Sequence, residues 1–162
     1  MDYKEMKKLA DSGNVDALVN YAEALLLGKI NGTPNLKEGL LYYYRAAEAG
    51  SAKAQFELGR MYQRSDEYES ALEMFEKAAK QDHRGAQAAL SVLLLMYFKD
   101  EKGAFLWATK AYNAGEKVSS PFILALIHSS GVVAKKDNDL IMKYLKIAAE
   151  NGNEQAKEIL YS

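Results

Sequence analysis

Residues 50–82, GSAKAQFELGRMYQRSDEYESALEMFEKAAKQD, read as a helix, a short turn and a second helix. Ala54, Leu58, Met61 and Tyr62 recur at helical spacing and put one apolar face on the first helix, near 52–63. Ser65 and Asp66 break that helix, and Asp66 with Glu69 three residues on has the spacing of a capping box for the next one. The second helix carries Tyr68, Ala71, Leu72, Phe75, Ala78 and Ala79. Gly59, Ala71 and Ala78 are small enough to let two helix backbones come close. One such hairpin cannot bury its apolar face alone and needs neighbours stacked on it.

The neighbours are legible as echoes. A pair of mostly small residues stands four positions before a turn residue at Ala46-Ala47 and Gly50, Ala78-Ala79 and Asp82, Ala111-Tyr112 and Gly115, and Ala148-Ala149 and Gly152. Leu9-Ala10 before Gly13 is a fainter copy. The turn residues are thus spaced by 37, 32, 33 and 37 positions. Four residues after each comes a small side chain (Ala17, Ala54, Ala86, Ser119, Ala156), and eight after each a bulky apolar one (Tyr21, Leu58, Leu90, Ile123, Leu160). Agreement at three offsets in five places marks an internal repeat.

The pattern Ala54, Leu58-Gly59, Tyr62, then Ala71, Phe75 and Ala78 resembles the tetratricopeptide repeat. The longer first and fourth units are more similar to its relative, the Sel-one-like repeat. Ser130-Gly131-Val132-Val133 with Asp137 resembles that family's glycine loop. Arg45-Ala46-Ala47-Glu48-Ala49-Gly50 and Ile147-Ala148-Ala149-Glu150-Asn151-Gly152 resemble the end of its second helix. The second and third units lack the glycine loop, and the third has Ser91 where the helix glycine is expected. The expected fold is all-α, an α-solenoid of about four antiparallel helix-turn-helix repeats with capping helices at both ends. It forms a single domain, 1–162, with units near 13–49, 50–81, 82–114 and 115–151, an N-terminal cap at 2–12 and a C-terminal cap at 153–161.

Composition narrows the function. A chain 49% apolar and 27% charged has the make-up of an ordinary globular protein, and 2 prolines in 162 residues leave room for long helices. A net charge of -1 gives no general attraction to nucleic acid or to an anionic membrane. With no cysteine there is no disulfide framework, thiolate metal site or thiol nucleophile. The polar start MDYKE is unlike a signal peptide, and the apolar run Leu93 to Phe98 is far short of the ~20 residues a membrane helix needs. A soluble cytoplasmic protein is expected.

Chemistry has no evident seat. His83 lies in a turn and His128 near a helix end, neither at metal-ligand spacing from another His. Glu67, Glu69, Glu73 and Glu76 read as a solvated face paired with Lys77 and Lys80. No nucleophile elbow, triad or nucleotide fingerprint occurs, so no catalytic residue, cofactor or metal is expected. Two rings of Tyr42-Tyr43-Tyr44 should pack between units with the third wet, and Trp107 should be an inter-unit core residue.

In tetratricopeptide proteins the first helix of each unit lines a groove, and the resemblance implies one here. It would be lined by Val19, Glu23 and Leu26, then Phe56, Arg60, Gln63 and Arg64, then Val92, Leu95 and Met96, with His128 from the last unit. Arg60 and Arg64 are like charges at i, i+4, which favours an acidic group to offset them. Asp66 or Glu67 can supply it within the chain, and an acidic ligand can supply it from outside. Residues 88–98 hold only Ser91 as a polar residue, so that helix is either covered by tight coiling or presents an apolar patch. The expected role is a protein–protein interaction module, an adaptor holding an acidic, amphipathic peptide or protein segment. The alternative is self-assembly into a homo-oligomer through 88–98, or regulation of a partner enzyme.

Overall fold

Backbone conformation marks the repeat joints. Gly13, Gly50, Gly115 and Gly152 all have φ between +91° and +96°, and Asp82 has +58°. These are the five turn residues of the sequence pattern, and each turns the chain out of one helix through the left-handed region that glycine enters without steric cost. At four of the five, the next residue caps the helix that follows. Asn14 Oδ1 accepts from the Ala17 N–H at 2.9 Å, Ser51 Oγ from Ala54 at 3.2 Å, His83 Nδ1 from Ala86 at 3.1 Å, and Asn153 Oδ1 from Ala156 at 2.9 Å. His83, which the sequence places in a turn, is thus a helix cap, with the ring proton on Nε2.

The computed structural model describes residues 2–161. Among them are ten α-helices and no strand, in two compact units that divide after Gln81. The first unit holds α1 (Tyr3–Asp11), α2 (Val15–Leu26), α3 (Leu36–Glu48), α4 (Ala52–Arg64) and α5 (Tyr68–Ala79). The second holds α6 (Arg84–Leu93), α7 (Glu101–Asn113), α8 (Ser119–Ser130), α9 (Asn138–Glu150) and α10 (Glu154–Tyr161). Within each unit, sequential helices pack as hairpins: α2 on α3 and α4 on α5, then α6 on α7 and α8 on α9.

A second left-handed series ends the first helix of each hairpin: Gly28 (φ +67°), Asp66 (+59°), Lys99 (+56°) and Gly131 (+70°). This overturns the capping-box reading of Asp66. In its left-handed conformation Asp66 closes α4, its carboxylate accepts from the Tyr68 hydroxyl, and α5 has Glu67 at its N-cap position with no side-chain cap bond. Left-handed backbone costs an L-residue about 1–2 kcal/mol, part of which glycine returns through unfolded-state entropy. Lys99→Gly is therefore expected to stabilise the chain by about 1 kcal/mol. The urea midpoint should rise at unchanged slope.

The apolar helix of the third repeat is not continuous over 84–98. After Leu93 it widens into a π turn, Leu94–Phe98, in which the Lys99 and Asp100 N–H groups both reach the Leu94 carbonyl. The span from turn residue to the next left-handed residue is 16 positions in the second and fourth repeats and 17 here, and the π turn absorbs the extra residue. The same turn divides the face. Leu90 and Leu93 are fully buried, whereas Met96, Tyr97 and Phe98 are exposed.

Packing in the first unit sets glycine against an aromatic ring. A Cβ on Gly59 would lie 2.6 Å from the Phe75 ring, and Phe75 is wholly buried. The third repeat has Ala108 in the register of Phe75, and there Ser91 fits fully buried, its Oγ donating to the Ala88 carbonyl at 2.7 Å. Tyr42 and Tyr43 are buried and Tyr44 is exposed, as the sequence predicts. Trp107 departs from expectation: it is only partly buried, with the Lys110 ammonium 4.5 Å from its ring.

A polar cluster fastens α1 to α3. The Tyr42 hydroxyl donates to Asp11 at 2.6 Å and accepts from the Lys7 ammonium at 2.7 Å, while Arg45 reaches Asp11 at 3.3 Å and the Ala10 carbonyl at 3.2 Å. The Tyr42 hydroxyl, then Lys7 and Arg45, hold the Asp11 carboxyl down at about 2. A carboxyl depressed on folding contributes stability above its ordinary range and loses it as pH falls through the folded value. Urea midpoints should therefore drop between about pH 4 and pH 2, and Asp11→Asn should flatten that part of the profile.

Candidate interaction surface

The first unit brings most of its predicted groove residues together. Phe56, Arg60, Gln63 and Arg64 share one face of α4, because side chains three and four positions apart stack along a helix. Phe56 is partly buried, its ring 6.0 Å from that of Phe75, and the Arg60 guanidinium stands 5.7 Å over it. Arg60 pairs with Glu57 at 3.5 Å, so its acidic partner is neither Asp66 nor Glu67 as expected. Glu57 stands three residues before Arg60, a helix-surface spacing that was open to reading in the sequence. Arg64 is exposed and has no ion-pair partner among the described residues.

From α2, Glu23 joins this face. It pairs with the Lys53 ammonium of α4 and accepts from the Tyr43 hydroxyl at 3.4 Å. Burial, then the Glu23 and Glu57 carboxylates, push the Tyr43 hydroxyl well above the ordinary tyrosine range. It therefore stays a donor at any ordinary pH. Val19, only 4% exposed, belongs to the core beneath, and Leu26 packs against that core partly buried. The face of the first unit is thus a supported polar surface with a net excess of guanidinium charge.

In the second unit, Val92 and Leu95 are partly buried and Met96 is exposed at the π turn. His128, on α8, is held between aromatic rings. Its ring lies 6.1 Å from Phe105 of α7 and 5.9 Å from Tyr144 of α9, and Nδ1 is 3.1 Å from the Lys135 carbonyl. It fastens the loop after α8. Sequence reasoning also missed Glu116. Its carboxylate accepts from the N–H groups of Val118, Ser119 and Ser120 at 2.9, 3.1 and 2.6 Å, replacing the Asn or Ser cap of other repeats. Burial raises its carboxyl, but the bonds from Ser120, Ser119 and Val118 outweigh that and leave it lowered. No group of three or more His, Cys, Asp or Glu side chains placed to hold a metal occurs among the described residues. No described helix is long and apolar enough to cross a membrane.

The model of the Sel1 repeat matches four successive segments, residues 15–51, 52–83, 86–116 and 122–153. The chain belongs to the Sel1 repeat family. Among solved structures it is similar to c5321, a protective antigen of uropathogenic Escherichia coli displaying an SLR fold, with 27% identity and a TM-score of 0.80 over 95% of this chain and 34% of that one. It is similar in fold to a Sel1 repeat protein from Oxalobacter formigenes, at 21% identity and TM-score 0.76, covering 95% of this chain and 65% of that one. It is also similar in fold to YrrB, a tetratricopeptide protein with an unusual peptide-binding site, at 20% identity and TM-score 0.65, covering 93% and 76%. The chain thus spans about a third of c5321 and about two thirds of the Oxalobacter protein. A comparison with curated protein sequences finds no match. The fold class is that of the all-α Sel1 and tetratricopeptide solenoids, repeats that are typically protein-interaction modules.

Proposed function

We propose that this Sel1 repeat chain is a non-catalytic adaptor or scaffold of the cytoplasm that holds an acidic, amphipathic peptide or protein segment on the first-helix faces of its repeats. The observation that carries this reading is the α4 face. Arg64 is exposed without an ion-pair partner among the described residues, Arg60 is only loosely held by Glu57, and Phe56 offers an apolar floor beside them. Guanidinium groups bind carboxylates bidentately, and a ring beneath them adds apolar contact. The second unit has an apolar surface of its own, with Val92 and Leu95 partly buried and Met96 exposed.

Fluorescence anisotropy with a panel of acidic amphipathic peptides tests it. Wild-type binding should weaken steeply with salt, and Arg60→Glu/Arg64→Glu should lose about tenfold or more in affinity with its helical circular dichroism unchanged. Equal affinity for wild type and variant would remove α4 from the binding surface.

A further inference from the structure

The outer face of α3 carries Lys37, Leu41, Tyr44 and Glu48, at i, i+4, i+7 and i+11. At 3.6 residues per turn these four fall within about 60° of one another, as a single stripe. All four are exposed, Leu41 at 57% and Tyr44 at 41%. Hollows lie beside the stripe. One of about 500 Å³ is lined by Lys37, Leu40, Leu41 and Tyr44, and another of about 210 Å³ runs from Tyr44 and Glu48 to Met74 of α5. The Tyr44 hydroxyl is 3.1 Å from that of Tyr62, which holds its ring in place. Neither Lys37 nor Glu48 has an ion-pair partner among the described residues.

We propose that this stripe is the contact between two copies of the chain, paired antiparallel about a two-fold axis that crosses α3 between Leu41 and Tyr44. The order along the stripe is base, apolar, apolar, acid. Antiparallel pairing sets Lys37 against Glu48 of the second copy and Leu41 against Tyr44, twice each by symmetry. Parallel pairing would set like against like. A two-fold contact of this kind is closed, so it gives a dimer and not a filament. The unused charges at the two ends of α3 are each other's complement only across such an axis. The contact is small: α3 has 13 residues and is roughly 20 Å long, so the dimer sits below the standard interface size and is a weak one.

Sedimentation equilibrium up to about 1 mM protein reads this directly. Wild type should dimerise. Lys37→Glu and Glu48→Lys, each at an exposed position, put like charges across both pairs and should each weaken association by about tenfold or more. An equimolar mixture of the two single variants should regain wild-type association as a heterodimer, and Lys37→Glu/Glu48→Lys should regain it alone. The chain has no cysteine, so Leu41→Cys mixed with Tyr44→Cys should oxidise to the mixed disulfide faster than either variant does by itself. A wild type that stays monomeric throughout overturns the proposal. So do single variants that associate like wild type, which would place the contact elsewhere, such as at Met96 to Phe98. A mixture that fails to restore association overturns it as well.

Discussion

Replacing Phe75 by alanine is expected to lower the unfolding free energy by about 3–5 kcal/mol. The ring is fully buried, meets the bare backbone of Gly59 on one side and lies 6.0 Å from the Phe56 ring on another. Alanine would leave a cavity that α4 and α5 cannot close, because the glycine opposite has no side chain to move into it. The converse change is informative. Gly59→Ala places a Cβ 2.6 Å from the ring, and overpacking of about 1–3 kcal/mol competes with about 1 kcal/mol of helix propensity. Gly59→Ala combined with Phe75→Leu should therefore be more stable than the sum of the two single changes predicts. Urea unfolding of all four proteins measures that coupling, and strict additivity would mean that the two side chains do not pack as described.

Gly28→Ala should cost about 2–4 kcal/mol, for two separate reasons. The residue has φ +67°, which strains any L-residue, and its Cβ would lie 2.8 Å from the Thr33 carbonyl carbon and 2.9 Å from the Pro34 nitrogen. Both are backbone atoms and cannot swing aside. Gly32 provides the control, since it too has a positive φ of +76° but open space where a Cβ would go. Gly32→Ala should cost about 1–2 kcal/mol, the strain alone. The difference in urea midpoint between the two variants isolates the backbone clash. If the two variants unfold together, the loop closes otherwise than the structure shows.

The repeat joints were legible in the sequence because each is written in residue types with few other uses. Glycine at 13, 50, 115 and 152 announces a left-handed turn, and Asn14, Ser51 and Asn153 after it announce a cap. The second series was hidden because Asp66 and Lys99 occupy left-handed positions without being glycine, and Asp66 beside Glu69 imitates a cap. The π turn was hidden for a different reason. It compensates for one extra residue, and that residue shows only once the two left-handed positions flanking it are known. Side-chain direction was the hardest to read. His128 has the groove offset, yet its ring packs on Phe105 and Tyr144, and Val19 is drawn into the core. Offsets along a helix fix a residue's angle, whereas the partner it turns toward is set by neighbouring helices. On α4 the angle sufficed, and Phe56, Arg60, Gln63 and Arg64 do share a face.

Affinity capture from a lysate of the source organism, with Arg60→Glu/Arg64→Glu beside the wild type and both shown to be folded, tests the adaptor reading most directly. A protein retained by the wild type and lost by the variant, carrying an acidic segment that binds the isolated wild-type chain, is the predicted result. Retention of the same proteins by both, or of none by either, would contradict a binding surface on α4.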